Sequence, residues 1–393
     1  MGIISKAKYL LKQFPFVYPR RIIDSCQDWI EQQGKRKGIY FNQRGPWYTT
    51  IFPGELLHHE APQTVGLPNE KEFYNNRNYP TPKASLFYLQ NCYLLGYKGL
   101  ILSARNELFQ EFSHHFGITT LKKFLQKKPF YIFSIGIKKI PGIGIVLISP
   151  ESNNYYHWLS DVLPRIKLYQ QVLDQADHFC IAANVPKKFL DILSHFGIPA
   201  QKILLVKDKE KLHFDHLYVS SLPGSEGRSP IWAVNYVREK LIKTPSAQPA
   251  AKKIYFKRGD AAERKILNES ALITLLKNNG FDIIEPGELR IDEQVSLVHD
   301  AKIVVAAHGA SLSNLIFSRE NTAVIELFSP DYFRTDCYYT LSSILKLNYW
   351  YIAGEKPDGA AWGDMIIDEE LVKTTLRQIE DSEPDKKTID RSA

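Results

Sequence analysis

Residues 301–317 read AKIVVAAHGASLSNLIF: an unbroken apolar run from Ile303 to Ala307, then His308-Gly309-Ala310, then a second apolar stretch at helical spacing. An apolar run without polar alternation fits a strand covered on both faces, as in parallel sheets flanked by helices. The glycine ends it and a helix begins within a few residues. Such a turn brings backbone N–H groups to the carboxyl end of the strand, where open α/β sheets hold their ligands. Gly309 and Ala310 are small enough for a diphosphate to approach the backbone closely. His308 can donate a hydrogen bond to a phosphate or to a departing oxygen. A glycine-tight turn with His308 packed or capped is the competing reading of the same residues.

The alternation continues on both sides. Downstream, TAVIELF (322–328) reads as another strand, and Glu326 near its end could accept hydrogen bonds from a ribose; a plain strand-end carboxylate fits equally. Upstream, KIYFKR (253–258) reads as a strand, ESALITLLKNNG (269–280) as a helix closed by Gly280, and FDIIEP (281–286) as a strand. DEQVSLVHDA (292–301) is a helix with its N-cap at Asp292. The loop after KIYFKR carries Lys257, Arg258, Arg264 and Lys265. It leaves the same sheet edge as the His308 turn, so Arg258 and Arg264 could clamp a diphosphate bidentately there. A solvated basic loop is the alternative.

Before this unit, TPSAQPAAKK (244–253) has the composition of a linker. An earlier alternating unit precedes it, with LFYLQNCYLLG (86–96), IGIVLIS (143–149), FCIAANV (179–185), KILLV (202–206) and HLYVSS (216–221) as strands. Helical spacing runs between them, which points to a parallel sheet with crossovers. The expected organisation is a loop-rich extension over 1–84, an α/β domain over 85–245, a second over 250–350, and a helix with a charged tail over 351–393. Within the first α/β domain, YYHWLSDVLPR (155–165) puts His157 and Asp161 four residues apart. On a helix they share a face and can act as a general-base pair; a structural polar pair is the alternative.

Composition narrows the classes. The chain has 393 residues, 44% hydrophobic and 24% charged, which excludes wholesale disorder and fibrous repeats. Fifty Lys+Arg against 43 Asp+Glu give +7, which suits phosphate-bearing partners but is too mild for a nucleic-acid protein. Four scattered cysteines form no zinc or disulfide pattern and suit a reducing, cytoplasmic setting. No apolar stretch is long enough to span a membrane. Lys6, Lys8 and Lys12 in the first dozen residues could rest on an anionic membrane as a basic amphipathic helix. There is no GxxxxGK[ST] and no full dinucleotide fingerprint, so P-loop and NAD chemistry are not expected. With no Asp-x-Asp pair and no HExxH, a leaving diphosphate would be met by Arg, His and helix dipole, with no metal.

YYHWLSDVLPR, YFKRGDAAERKILNE and the run from DEQVSLVHDA through HGASLSNLIF to VIELF together resemble glycosyltransferase family sixty-one. That family includes bacterial capsular-polysaccharide enzymes, plant xylosyl- and arabinosyltransferases and animal N-acetylglucosaminyltransferases. The resemblance covers roughly residues 130–330. It implies a GT-B-type α/β fold, two facing Rossmann-like domains with a cleft between them, and inverting, metal-independent transfer from a nucleotide sugar, a UDP-sugar being expected. It matches Arg258 and Arg264 to the family's basic loop, and His308, Gly309, Ala310 and Asn314 to its HGAxLxN turn. His157, Asp161 and Arg165 match its HWLxDxLPR motif, with Asp161 favoured as base and Arg165 on the acceptor side. The expected partners are the nucleotide sugar and a glycan or lipid-linked acceptor in surface polysaccharide synthesis. An epimerase or hydrolase using the same donor site, or a noncatalytic polysaccharide-binding scaffold, are the alternatives.

Overall fold

The computed structural model describes residues 19–37, 45–66, 68, 70–112, 136–225, 227–243, 249–258 and 263–382. The basic N-terminal dozen, half of the linker and the charged tail lie outside the described residues. The chain divides into two compact units, each gathered from separate stretches. One holds Met1–Glu55, Thr81–Ser225 and Trp232–Val237; the other holds Leu56–Pro80, Glu226–Ile231 and Arg238–Ala393. Both combine a sheet with helices, so the protein is mixed α/β.

The second unit carries a five-stranded, all-parallel sheet. Its strands, in chain order, are Lys252–Phe256, Phe281–Ile284, Ala301–Ala307, Ala323–Phe328 and Asn348–Ala353. In space the second strand lies outside the first, and the third, fourth and fifth are ranged on the other side. The direction of winding therefore reverses between Lys252–Phe256 and Ala301–Ala307. At such a switch point the two connections leave in opposite directions and open a crevice beyond the strands' carboxyl ends. The sheet is covered on one face by the helices Glu269–Asn278 and Glu369–Asp381, whose Leu272, Leu276, Val372, Leu376 and Ile379 pack on Tyr255, Ile303, Val305, Ile325 and Ile352. The 3–4 spacing in Glu369–Asp381 is what lets a helix bury one stripe, and Asp368 caps it by accepting from Glu370 N–H at 2.8 Å. The helix Ile291–His299 begins two residues earlier than the Asp292 cap expectation allows: Arg290 is the N-cap, and Glu293 accepts from its backbone N–H at 2.8 Å.

Residues 56–80, placed by sequence in the N-terminal extension, are part of this unit. Leu56–His58 and Asn78–Pro80 form a two-stranded antiparallel pair, and Gln63 bridges to Trp350 on the sheet's edge strand. Phe73 is fully buried, 4.8 Å from the Tyr351 ring and 5.0 Å from that of Tyr339.

The first unit holds a nine-stranded sheet. Lys211–Ser220, Lys138–Val146, His178–Ala182 and Ile203–Val206 run parallel side by side, as the sequence suggests. The rest departs from that expectation. Ala84–Leu95 pairs antiparallel with Lys211–Ser220 over its whole length, and Trp47–Phe52 and Leu100–Leu102 pair antiparallel with Ala84–Leu95. The first unit is thus a mixed sheet. Among the described strands of 85–245, the expected parallel pairing with one another is confined to Lys211–Ser220, Lys138–Val146, His178–Ala182 and Ile203–Val206. Among the described residues no helix is long and apolar enough to cross a membrane.

Candidate active site

In the second unit the strand Ala301–Ala307 is buried throughout except at Lys302, and delivers His308 to its carboxyl end. The next segment, Ala310–Phe317, is a 3-10 helix in place of the expected α-helix. His308 Nδ1 lies 2.6 Å from Glu326 Oε1, and the other carboxylate oxygen accepts from Tyr349 OH at 2.6 Å. Strand register produces this trio. Ala306 stands opposite Glu326 and Glu326 opposite Tyr351, so His308 and Tyr349 each sit two residues from a paired position and share one face. An ionised carboxylate only accepts, so Nδ1 carries the proton and Nε2 is turned outward from Glu326. Burial first, and then the Glu326 charge, push the Tyr349 phenol far above its ordinary value and keep it a donor.

Glu326 is fully buried with both oxygens engaged. It therefore holds His308 in place, and with no oxygen left open it departs from the ribose-acceptor expectation and fits the plain strand-end alternative. Asn314 is also reassigned. It is fully buried, and its Nδ2 donates to Gln294 Oε1 at 2.8 Å and to Ser311 O at 3.0 Å, which locks the 3-10 segment onto the helix Ile291–His299.

Arg258 leaves the neighbouring strand at the switch point, and its Nη1 donates to the His308 carbonyl at 2.6 Å. The guanidinium lies so close to the turn that a Cβ on Gly309 would stand 2.7 Å from Nη1. Gly309 has φ 171°, ordinary extended backbone, so a side chain there would be opposed only by the Arg258 guanidinium, which would have to shift. Ala310, next to it, is half-buried. The structure therefore brings Arg258, His308, Gly309 and Ala310 together at one strand edge. Arg264 arrives by another route: its guanidinium lies 4.6 Å over the Tyr332 ring, whose centroid is 5.4 Å from that of His308. A histidine fixed by a buried carboxylate beside an arginine at a switch point is suited to receive an anionic oxygen.

In the first unit, residues 155–168 are not one α-helix. Tyr155–His157 leads into a π-helical turn, Trp158–Val162, where Leu163 N–H bonds to Trp158 O at 3.0 Å, and Arg165–Leu168 resumes as α. Such inserted turns recur at functional positions. Trp158, fully buried and stacked on Phe189 at 5.5 Å, anchors the turn. His157 Nδ1 lies 2.6 Å from Asp161 Oδ2, and the Ser160 hydroxyl is 3.2 Å from Oδ1. The pair is partly open, at 27% and 18% side-chain exposure. Burial alone would lower the His157 pKa, but the hydrogen bond and charge of Asp161, with Glu151 adding to them, outweigh it and raise it.

Arg165 does not face an acceptor. It is 2% exposed, with Nε on Ser220 Oγ at 2.8 Å, Nη1 on Ile148 O at 2.8 Å, and Nη2 on Ser220 O and Tyr169 OH at 3.2 and 3.3 Å. It ties the motif to two segments of the first unit, which is a structural duty. Among the described residues no group of three or more His, Cys, Asp or Glu could hold a metal ion. Sequence reasoning passes over Tyr349 and Tyr332; the parallel strand register is the signal that would find Tyr349.

These residues fall in a region with known counterparts. The family described as Glycosyltransferase 61 matches residues 155–325. The EGF domain-specific O-linked N-acetylglucosamine transferase of Rattus norvegicus is 32% identical over 99 residues, 24% of this chain and 18% of that protein. The same-named protein of Gallus gallus is 31% identical over 91 residues, 22% of this chain and 17% of its own length. The aligned stretch thus spans under a fifth of these curated relatives. Residues 155–325, which include the His157–Asp161 pair, Arg258 and His308, are thus the part of the chain that is similar to the glycosyltransferase 61 family.

Proposed function

We propose that the protein transfers a sugar from a nucleotide-sugar donor, a UDP-sugar, to a hydroxyl of a glycan or lipid-linked acceptor in cytoplasmic synthesis of a surface polysaccharide. Transfer proceeds with inversion and without an essential metal or other cofactor. The observation that carries the reading is the pairing of Arg258 with the Glu326-held His308 at the switch point of the second unit's sheet, inside the family segment. In this reading Arg258, with Arg264, holds the donor diphosphate, and His308, when it carries a second proton on Nε2, donates from there to the oxygen that departs. The GT-B-type arrangement of two facing domains is part of the proposal.

The reaction forms one C–O bond at the anomeric carbon as the bond to the diphosphate oxygen breaks. The acceptor hydroxyl gives its proton to a base, and the electron pair of the broken bond leaves with the nucleoside diphosphate. We assign the base to the His157–Asp161 pair. Asp161 spends one oxygen on His157 Nδ1, so the geometry favours His157 as the proton acceptor and Asp161 as the group that orients it, the reverse of the sequence-based preference.

The test is release of nucleoside diphosphate from UDP-sugars, with and without added glycan acceptor and with EDTA. N-acetylglucosamine is the first sugar to try, since the relatives' name carries it. Acceptor-dependent release that survives EDTA supports transfer without a metal. Loss in EDTA restored by Mn²⁺ refutes metal independence. Acceptor-independent turnover points to an epimerase or hydrolase, and no turnover with any donor points to a scaffold.

A further inference from the structure

Beyond the family segment, the loop between Asn348–Ala353 and Glu369–Asp381 carries Trp362 at 51% exposure, second only to Tyr74 among the large aromatics in the second unit's described residues. An indole this open leaves a large flat apolar surface on which another ring can stack. Trp362 meets Tyr332 at 5.7 Å and 71°, and Tyr332 in turn lies 5.4 Å from His308. The Arg264 guanidinium rests 4.6 Å from the centre of the Tyr332 ring.

The backbone around Trp362 is firmly held. Asp331 accepts from Lys356 Nζ at 2.6 Å and from Gly363 N–H at 2.8 Å, so it pins both ends of the loop. The Gly363 hydrogen bond, and then Lys356, lower the Asp331 pKa and keep it ionised. Gly363 has φ 82°, and a Cβ there would stand 2.5 Å from Arg264 Cγ. Only glycine lets the loop cross the arginine stem this closely. Arg264 itself holds φ 59°, the left-handed region that non-glycine residues seldom occupy, and its neighbour Lys265 N–H is fixed by Asp364 Oδ1 at 2.8 Å. Strain of this kind is kept where the surroundings over-determine a conformation, often at ligand sites.

We propose that Trp362, backed by Tyr332 and Arg264, is the stacking platform for the nucleobase of the donor nucleotide. The inference rests on the donor-site reading above and deepens it. A flat base, separated from its diphosphate by a ribose, matches an aromatic two ring-to-ring steps, of 5.4 and 5.7 Å, away from His308. A sugar attached directly to the diphosphate would lie nearer to His308. Trp362 is therefore a binding residue that sets preference for the nucleotide over bare diphosphate.

Binding of UDP and of inorganic diphosphate by calorimetry, to the whole chain and to Trp362→Ala and Trp362→Phe, tests this directly. Trp362→Ala should weaken UDP by about ten- to a hundred-fold, leave inorganic diphosphate unchanged, and leave the melting temperature unchanged. Trp362→Phe should restore most of the UDP affinity. Equal UDP affinity in the wild type and Trp362→Ala overturns the platform while the donor-site reading stands. Equal weakening of UDP and diphosphate also overturns it, since the loop would then act only on the anion site. Failure of the unaltered protein to bind UDP at all removes both.

Discussion

Replacing Arg165 separates a structural from a catalytic reading of the 155–165 motif. Its guanidinium is 2% exposed and donates to the carbonyls of Ile148 and Ser220, to the Ser220 hydroxyl and to Tyr169 OH. Arg165→Ala leaves two buried carbonyls facing a void, at about 1–3 kcal/mol each. It also removes the aliphatic stem's packing. The expected destabilisation is about 3–5 kcal/mol, a fall in melting temperature of roughly 6–20 °C for a unit of this size. Arg165→Lys keeps the charge but loses the planar fork, and should fall between the two. Calorimetric melting gives the stability, and nucleotide binding at a temperature where the variant is folded gives the site. Donor affinity should be unchanged there. A variant that melts with the wild type yet has lost turnover would refute the structural assignment and return Arg165 to the acceptor.

Gly309→Ala places a methyl 2.7 Å from Arg258 Nη1. The guanidinium is the movable partner, so UDP affinity should drop about ten-fold or more with a stability change under about 1 kcal/mol; unchanged affinity would detach Arg258 from the anion site. His157→Ala and Asp161→Asn should each cut turnover by about 10²–10⁴ with donor binding intact, and an active His157→Ala beside a dead Asp161→Asn would make Asp161 the base. Because the His157 pKa is raised in the folded state, the pair's stabilisation is fully present below the unfolded value near 6.5 and is lost as pH rises through the folded value. Asp161→Asn should remove that pH dependence from melting curves collected between about pH 6 and pH 9, and an unaltered profile would refute the coupling.

The second unit's sheet was legible because its strands are covered on both faces. IVVAA, AVIELF and KIYF read as apolar runs, and Gly280 and Gly309 mark their connections. The first unit was less so. Ala84–Leu95 has the same apolar look, yet apart from the short hairpin partner Leu100–Leu102 its antiparallel partners lie well over a hundred residues downstream and some forty upstream, and its apolar run does not carry their direction. Arg258, His308, Gly309 and Ala310 meet at one strand edge, where strand-then-glycine patterning puts them, while three other candidates are buried. Arg165, Asn314 and Glu326 sit within functional-looking motifs as polar residues, and only burial and partners show that they support neighbours. The π-turn at Trp158–Val162 was invisible for a related reason: in sequence the 157–161 spacing looks the same whether the turn is α or π.

The interleaved make-up of the two units has a consequence for synthesis. Thr64 is bonded to the Tyr351 carbonyl 287 residues later, and Phe73 is buried among aromatic rings from that same late stretch. On a ribosome adding about 5–20 residues per second, the 56–80 segment waits roughly 15–60 s for its partners. The first unit's last stretch, Trp232–Val237, has emerged long before then. The nascent chain must therefore carry an apolar plug past a nearly complete neighbour before its socket exists, a long-lived sticky intermediate of the kind that chaperones shield. Expression trials at lowered temperature or with added chaperones should reveal that wait as a gain in soluble yield.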